Sequence, residues 1–346
     1  MIGIYLLCLV IFPAIVLYKI EILSQNKANV LMSKTDTQFL RGVSACFVVF
    51  THFCAWVNEI QSLNKFFYFV ISQLGGIGVL IFFFVSGYGI YESYADKAPN
   101  WDYLWKRAKS VYFPYLIIKF LLIIPKSIIE RDISLGTHKL VSILLVEDWF
   151  VHVILIQYIV FFIIWKFLNV NRVILYSIIF DSVLSCVYII EGKPDGWFNA
   201  LWLFTFGMAC SQYENKLFVF FKRRTWVKTF LLFGVFCIIG TFFAINKDSY
   251  WANPFKPIGG IFLCLAICGI LRKLTFESRP MLYFGKCSMY LYIVHINVWP
   301  ALQIQNVVYR FWIALILSMF LSGGIYTVAK FSIRNRKYIV ENQRIK

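Results

Sequence analysis

The chain has 346 residues, of which 60% are hydrophobic, 19% aromatic and only 15% charged, and its mean hydropathy is +0.72. A water-soluble domain carries roughly a quarter charged residues because its surface faces water, so a soluble globular protein is excluded. The net charge of +17 would on its own suggest a nucleic-acid partner. Its distribution between apolar runs instead marks membrane topology and attraction to anionic lipid headgroups, and no nucleic acid is expected.

In chain order the apolar runs fall at 1–18, 39–57, 70–91, 111–129, 149–168, 172–190, 197–212, 228–245, 257–271, 287–304 and 308–331. Such runs match about 30 Å of hydrocarbon at about 1.5 Å per helical residue. Lipid obliges the backbone to satisfy its own hydrogen bonds, which leaves helices or a closed barrel. Ile77 to Val85 and Leu231 to Ile239 do not alternate as barrel strands do. The pattern predicts an all-α fold, a polytopic transmembrane bundle of about 10–11 helices.

The first run has no basic residues before its apolar core and no small-residue cleavage site before Lys19 to Lys34, so a retained helix is expected. Lys19, Lys27, Lys34 and Arg41 follow it, which puts its end in the cytoplasm by the positive-inside rule. Alternating sides along eleven helices then places 25 of the 34 Lys and Arg residues in the cytoplasm and 8 on the other side, with Lys119 inside a helix. Three parts are expected: an additional N-terminal helix and cytoplasmic loop over 1–35, the main membrane domain over 36–331, and a basic cytoplasmic tail over 332–346. Most of the nine cysteines lie within apolar runs without a CxxC pair. They read as small packing residues, and no metal is expected.

Ionisable groups in a membrane are costly and therefore functional suspects. The clearest is His52. Arg41 lies eleven residues before it, three helical turns plus about 20°, so both project from one face about 16 Å apart along the axis. A plain alternative is an interhelical histidine contact with an arginine marking the membrane boundary. A second segment runs from Gly75 to Tyr88 with small residues at both ends, Ser86 among them; close helix packing would explain it equally. A third is the basic cluster Lys106, Arg107 and Lys109 ahead of Tyr112, Pro114 and Tyr115, suited to phosphate or to topology alone. A fourth, Tyr283 to His295, sets another histidine in a helix. His138 and His152 are weaker candidates in or beside an outer loop.

These segments, in this order, resemble the membrane acyltransferase-3 family of multi-helix acyl transferases, from about Asp36 to Ala329. Arg41 and His52 reproduce the family's arginine, ten residues, then histidine. Gly75 to Tyr88 is similar to its Gly-x-x-Gly-Val-x-x-Phe-Phe-x-x-Ser-Gly-Phe segment, Tyr290 to His295 to its late Tyr-Leu-x-His segment, and Trp149-Phe150 to a recurrent element. Two departures stand out: Leu80 replaces a polar residue after Gly-Val, and the basic Arg-x-x-Arg pattern is only approximated around Lys106, Arg107 and Lys109.

The resemblance implies an integral membrane O-acyltransferase of a cell membrane, a bacterial cytoplasmic membrane by the family's usual setting. It implies transfer of an acyl group, commonly acetyl, from cytosolic acyl-CoA to a hydroxyl of a cell-surface glycan or its lipid-linked precursor. His52 would then act as general base or acyl relay, and Arg41, the other member of the catalytic pair, would help to hold the donor's phosphates. Lys106, Arg107 and Lys109 would hold the phosphates of the acyl-CoA donor. Ser86, Tyr88 or nearby backbone groups would stabilise the oxyanion, and His295 would be an orienting or a packing histidine. The rival from another class is a polytopic transporter or flippase of an envelope precursor, for which broken helices would be expected at Gly75 to Gly78 and Gly259 to Gly260.

Overall fold

A computed structural model describes residues 1–23, 30–95, 97–130, 140–168, 172–246, 249 and 252–343, without the side chains of 122–130 and 332–343. His138 lies outside the described residues.

Each predicted run is helical. Helix α1 covers Ile2–Leu17 and contains one π turn at Leu7–Ile11. It is followed by α2 at Lys34–Ile60 and α3 at Lys65–Tyr94. Helix α4 comprises Trp101–Arg107, a π turn at Ala108–Tyr112 and Phe113–Glu130. Helices α5 (Trp149–Phe167), α6 (Val173–Ile190) and α7 (Gly196–Gln212) come next. The remainder are α8 (Glu214–Lys222), α9 (Thr225–Ile245), α10 (Phe255–Leu271), α11 (Arg279–Ala301) and α12 (Val307–Gln343).

Six helices are long and apolar enough to cross a membrane by length and composition alone. The other predicted spans are helical but shorter, interrupted or more polar: α7 and α10 have 17 residues each, α4 carries its π turn, and α11 includes Arg279 and Lys286. Helix α8 stands where only a basic loop is expected, because Leu217, Phe218 and Phe221 give that stretch an apolar stripe between Lys216 and Lys222. Helix α12 runs on past 331 to Gln343, so the boundary of the basic tail is one of composition and not of secondary structure.

Local chemistry starts the helices that matter for the site. Ser33 caps α2 in a reciprocal box with Asp36, whose carboxylate accepts from the Ser33 N–H at 2.8 Å while Ser33 Oγ accepts from the Asp36 N–H at 3.1 Å. Asn64 caps α3 through the Phe67 N–H, and Asp148 caps α5 through the Val151 N–H.

Between helices lipid offers no hydrophobic preference, so close approach of backbones decides the neighbours. A Cβ on Gly42 would meet the Met281 carbonyl oxygen at 2.0 Å, and one on Gly285 the Gln38 carbonyl oxygen at 1.9 Å. Only glycine lets α2 and α11 meet there. Gly87 and Gly207 bring α3 and α7 together in the same way. Helices α2 and α11 run parallel, whereas α2 and α3 are antiparallel, with Thr51 Oγ1 donating to the Ile71 carbonyl at 2.7 Å.

Helix α1 is part of this bundle. Phe12 packs on Phe47 and Phe50, Tyr5 on Phe67, and Ser278 Oγ donates to the Ile15 carbonyl at 2.6 Å. Strand β1 (Ile20–Ile22) pairs antiparallel with β2 (Leu274–Phe276), matching Ile20 with Phe276 and Ile22 with Leu274. Polar contacts join segments that the alternation of sides puts together: Leu31 N–H to Glu214, Ser211 to Glu92 and β1 to β2 at one end, Lys256 to Asp195 at the other.

Candidate active site

The parallel packing of α2 and α11 builds the centre. From the Gly42–Gly285 crossing, ten residues along each helix, about 15 Å, lead to His52 and His295. Their rings meet with Nδ1 of His52 2.8 Å from Nε2 of His295. The second nitrogen of His295, Nδ1, lies 2.9 Å from the carbonyl oxygen of Leu291.

A carbonyl can only accept, so Nδ1 of His295 carries the proton and its Nε2 is bare. Nδ1–H of His52 therefore donates to His295, and in the neutral pair Nε2 of His52 is left unprotonated. His295 is fully buried. Phe53, Trp56 and Trp299 back the pair, with Trp56 and Trp299 stacked at 5.5 Å.

His52, unlike His295, lines a cavity of about 310 Å³. Its walls come from Thr51 on α2, Gly75 and Gly76 on α3, Trp149 on α5, the Pro194–Trp197 turn into α7, Lys256 on α10 and Tyr292 on α11. Tyr292 OH lies 3.4 Å from Asp148 Oδ1, which it reaches as a donor, and Lys119 Nζ stands 4.0 Å from the other carboxylate oxygen. Lys256 Nζ pairs with Asp195 Oδ2 at 2.6 Å. A base able to accept a proton thus faces a chamber whose other polar groups are already partnered.

Arg41 sits at the opposite end of the same helix face, beside Gly89. Arg107 and Tyr158 are the groups close enough to act on its guanidinium electrostatically, and Arg107 itself lies over the Tyr103 and Tyr158 rings at 5.3 and 5.1 Å. The Nε atoms of Arg41 and Arg107 are enclosed without a hydrogen-bond partner among the described residues. Buried donors without partners are costly, and two guanidinium groups so placed suit an anion such as phosphate.

The predicted basic cluster divides. Arg107 turns inward to Arg41, whereas Lys106 and Lys109 are exposed, Lys109 lying over the Trp105 ring at 4.9 Å. Ser86 and Tyr88 are buried but do not stand at His52. Antiparallel packing sets Gly75 against Thr51 and Gly89 beside Arg41, so both lie toward the arginine end. Tyr88 OH donates to Glu214 at 3.1 Å, and Ser86 Oγ has no partner among the described residues. The oxyanion role expected of these two therefore lacks the geometry for it. His152 lies outside the pair, with Nδ1 3.2 Å from the Val146 carbonyl and its ring beside Trp197.

Sequence reasoning passed over Asp195, Asn199 and Lys256, since turn and helix-start residues carry no periodic signal. It also passed over Asp181, the one acid in its apolar run, which the cost of intramembrane charge would have flagged. Asp181 is fully buried and accepts from Gln157 at 2.7 Å and Thr205 at 2.5 Å, tying α5, α6 and α7 together away from the histidines.

Nothing among curated proteins or solved structures matches the chain. A family model described as an acyltransferase domain matches residues 36–329, from the capping box of α2 into α12. With its multi-pass helical bundle and its paired histidines inside the matched span, the chain belongs to the acyltransferase-3 family of membrane acyltransferases.

Proposed function

We propose that the chain moves an acyl group, acetyl by preference, from a cytosolic acyl-CoA to a hydroxyl of a cell-surface glycan or its lipid-linked precursor, as an O-acyltransferase of a bacterial cytoplasmic membrane. The observation that carries this reading is the hydrogen-bond chain from Leu291 through His295 to His52, which leaves Nε2 of His52 as the free base in a side chain that lines the cavity.

In this mechanism Arg41 and Arg107 hold the donor's phosphates through charge-assisted bonds, and the pantetheine arm spans the roughly 16 Å to His52. The acceptor hydroxyl oxygen attacks the thioester carbonyl as its proton passes to Nε2 of His52. The carbon–sulfur bond then breaks, and the departing thiolate takes that proton back from the imidazolium. His295 acts through His52 as a positioning residue, holding the tautomer in which the cavity-facing side chain keeps its lone pair.

The test uses the purified full chain in liposomes with labelled acetyl-CoA and a glycan acceptor. Label entering the glycan in wild type and lost in His52→Ala supports the reading. Full transfer by His52→Ala would sink it, and glycan crossing the bilayer without label would point to transport.

A further inference from the structure

The chamber in front of His52 has a composition unlike the rest of this basic chain. Among the described residues its lining holds one acid and one cation, Asp195 and Lys256, and these are bonded to each other at 2.6 Å. At its rim Lys193 pairs with Glu191 at 3.8 Å, and behind Tyr292 Lys119 faces Asp148 at 4.0 Å. In a chain of net charge +17, these three described cations are each matched by a carboxylate. Arg310, another described cation on this side, donates to the Trp299 carbonyl at 2.8 Å behind the histidine pair and does not line the cavity.

The remaining lining is indole and amide. Gly196 lacks the Cβ that would come within 3.2 Å of the Trp149 ring, so the outer edge of that ring packs closely against the turn. Trp197 stands beside it, with Lys193 Nζ 5.1 Å from its centroid. Asn199 is buried and reaches Asp195 Oδ2 at 3.4 Å, which leaves Asp195 Oδ1 and two N–H bonds of Lys256 for a guest. Apolar platforms beside paired donors and acceptors suit a ring with C–H faces and hydroxyl edges.

We propose that this chamber is an acceptor subsite that selects an uncharged pyranose ring over its acidic counterpart. Trp149 takes a C–H face with Trp197 at its margin, Asp195 and Asn199 accept or donate at adjacent hydroxyls, and Lys256 holds the Asp195 charge in check. A carboxylate on the ring would meet Asp195 with its compensating cation already spent, and like-charge contact in an enclosed site is strongly disfavoured. The inference rests on the acyltransferase reading above.

The experiment measures acetyl transfer from labelled acetyl-CoA by the full chain in liposomes to matched methyl hexopyranosides and methyl hexopyranosiduronates of gluco, galacto and manno configuration. Wild type is expected to favour the neutral member by about tenfold or more in kcat/KM, the scale of one hydrogen bond to a charged group. Asp195→Asn frees Lys256 and shifts that ratio about tenfold toward the uronate, whereas Lys256→Met shifts it the other way. The double variant Asp195→Asn/Lys256→Met, which leaves no lone charge, loses the discrimination.

A ratio unchanged across these variants overturns the proposal, as does a wild-type preference for the uronate. His52-dependent thioester cleavage with transfer to none of the hexosides overturns the subsite and leaves the acyltransferase reading standing. Absence of any His52-dependent cleavage overturns that reading itself.

Discussion

The two ends of helix α2 treat charge in opposite ways. At the Arg41 end the guanidinium groups of Arg41 and Arg107 lie near each other, and their Nε atoms have no hydrogen-bond partner among the described residues. At the His52 end the cation lining the cavity is bonded to a carboxylate, and the histidine hydrogen-bonds to a second histidine and not to an acid. An anion is attracted to the first end and gains nothing at the second. One helix thus separates a site suited to a phosphorylated donor from one suited to a neutral acceptor by about 16 Å.

The largest expected effect bears on the base. His52→Ala should lower acyl transfer about a thousandfold, within the range of general base catalysis, with the amount of protein in the membrane unchanged; a label-transfer assay reads it. At the other end, Arg41→Ala combined with Arg107→Ala should raise the KM for the acyl-CoA donor about a hundredfold and leave the acceptor KM nearly constant. Equal rises in both constants would erase the contrast between the ends.

Gly285→Ala forces a methyl group against the Gln38 carbonyl and should destabilise the bundle by about 2 kcal/mol, seen as a lower unfolding midpoint in detergent together with lost activity. His295→Ala should cost about tenfold in kcat by freeing the His52 tautomer, and His295→Gln, whose amide oxygen can accept from Nδ1–H, should recover most of it. A purely packing role predicts no such rescue. Last, Lys106→Ala and Lys109→Ala should each change the donor KM by less than about threefold, because exposed lysines contribute little.

Much of this was legible in the order of residues. Eleven apolar runs became helices, with large shifts only at the starts of α4 and α11 and the end of α12, and the face shared by Arg41 and His52 survives intact, because both follow from the rise and twist of one helix. Leu217 to Phe221 falls between the predicted runs, since a helix lying between spans has neither their length nor their hydropathy. The expected grouping of Lys106, Arg107 and Lys109 failed because neighbours in sequence project in different directions around a helix. Ser86 and Tyr88 looked close to the chemistry by motif, but the antiparallel register of α2 and α3 sets them beside Arg41.

By itself the sequence determined the membrane class, the helices and the spacing of Arg41 from His52, all of which depend on hydrocarbon thickness and helical geometry acting locally. Only the tertiary structure decided that His52 meets His295, 243 residues away, that α2 and α11 run parallel, and that Asp195 and Lys256 close one chamber with them. Lipid solvates every apolar helix face about equally, so the choice of neighbour falls to glycine crossings and interhelical hydrogen bonds, which no local periodicity records.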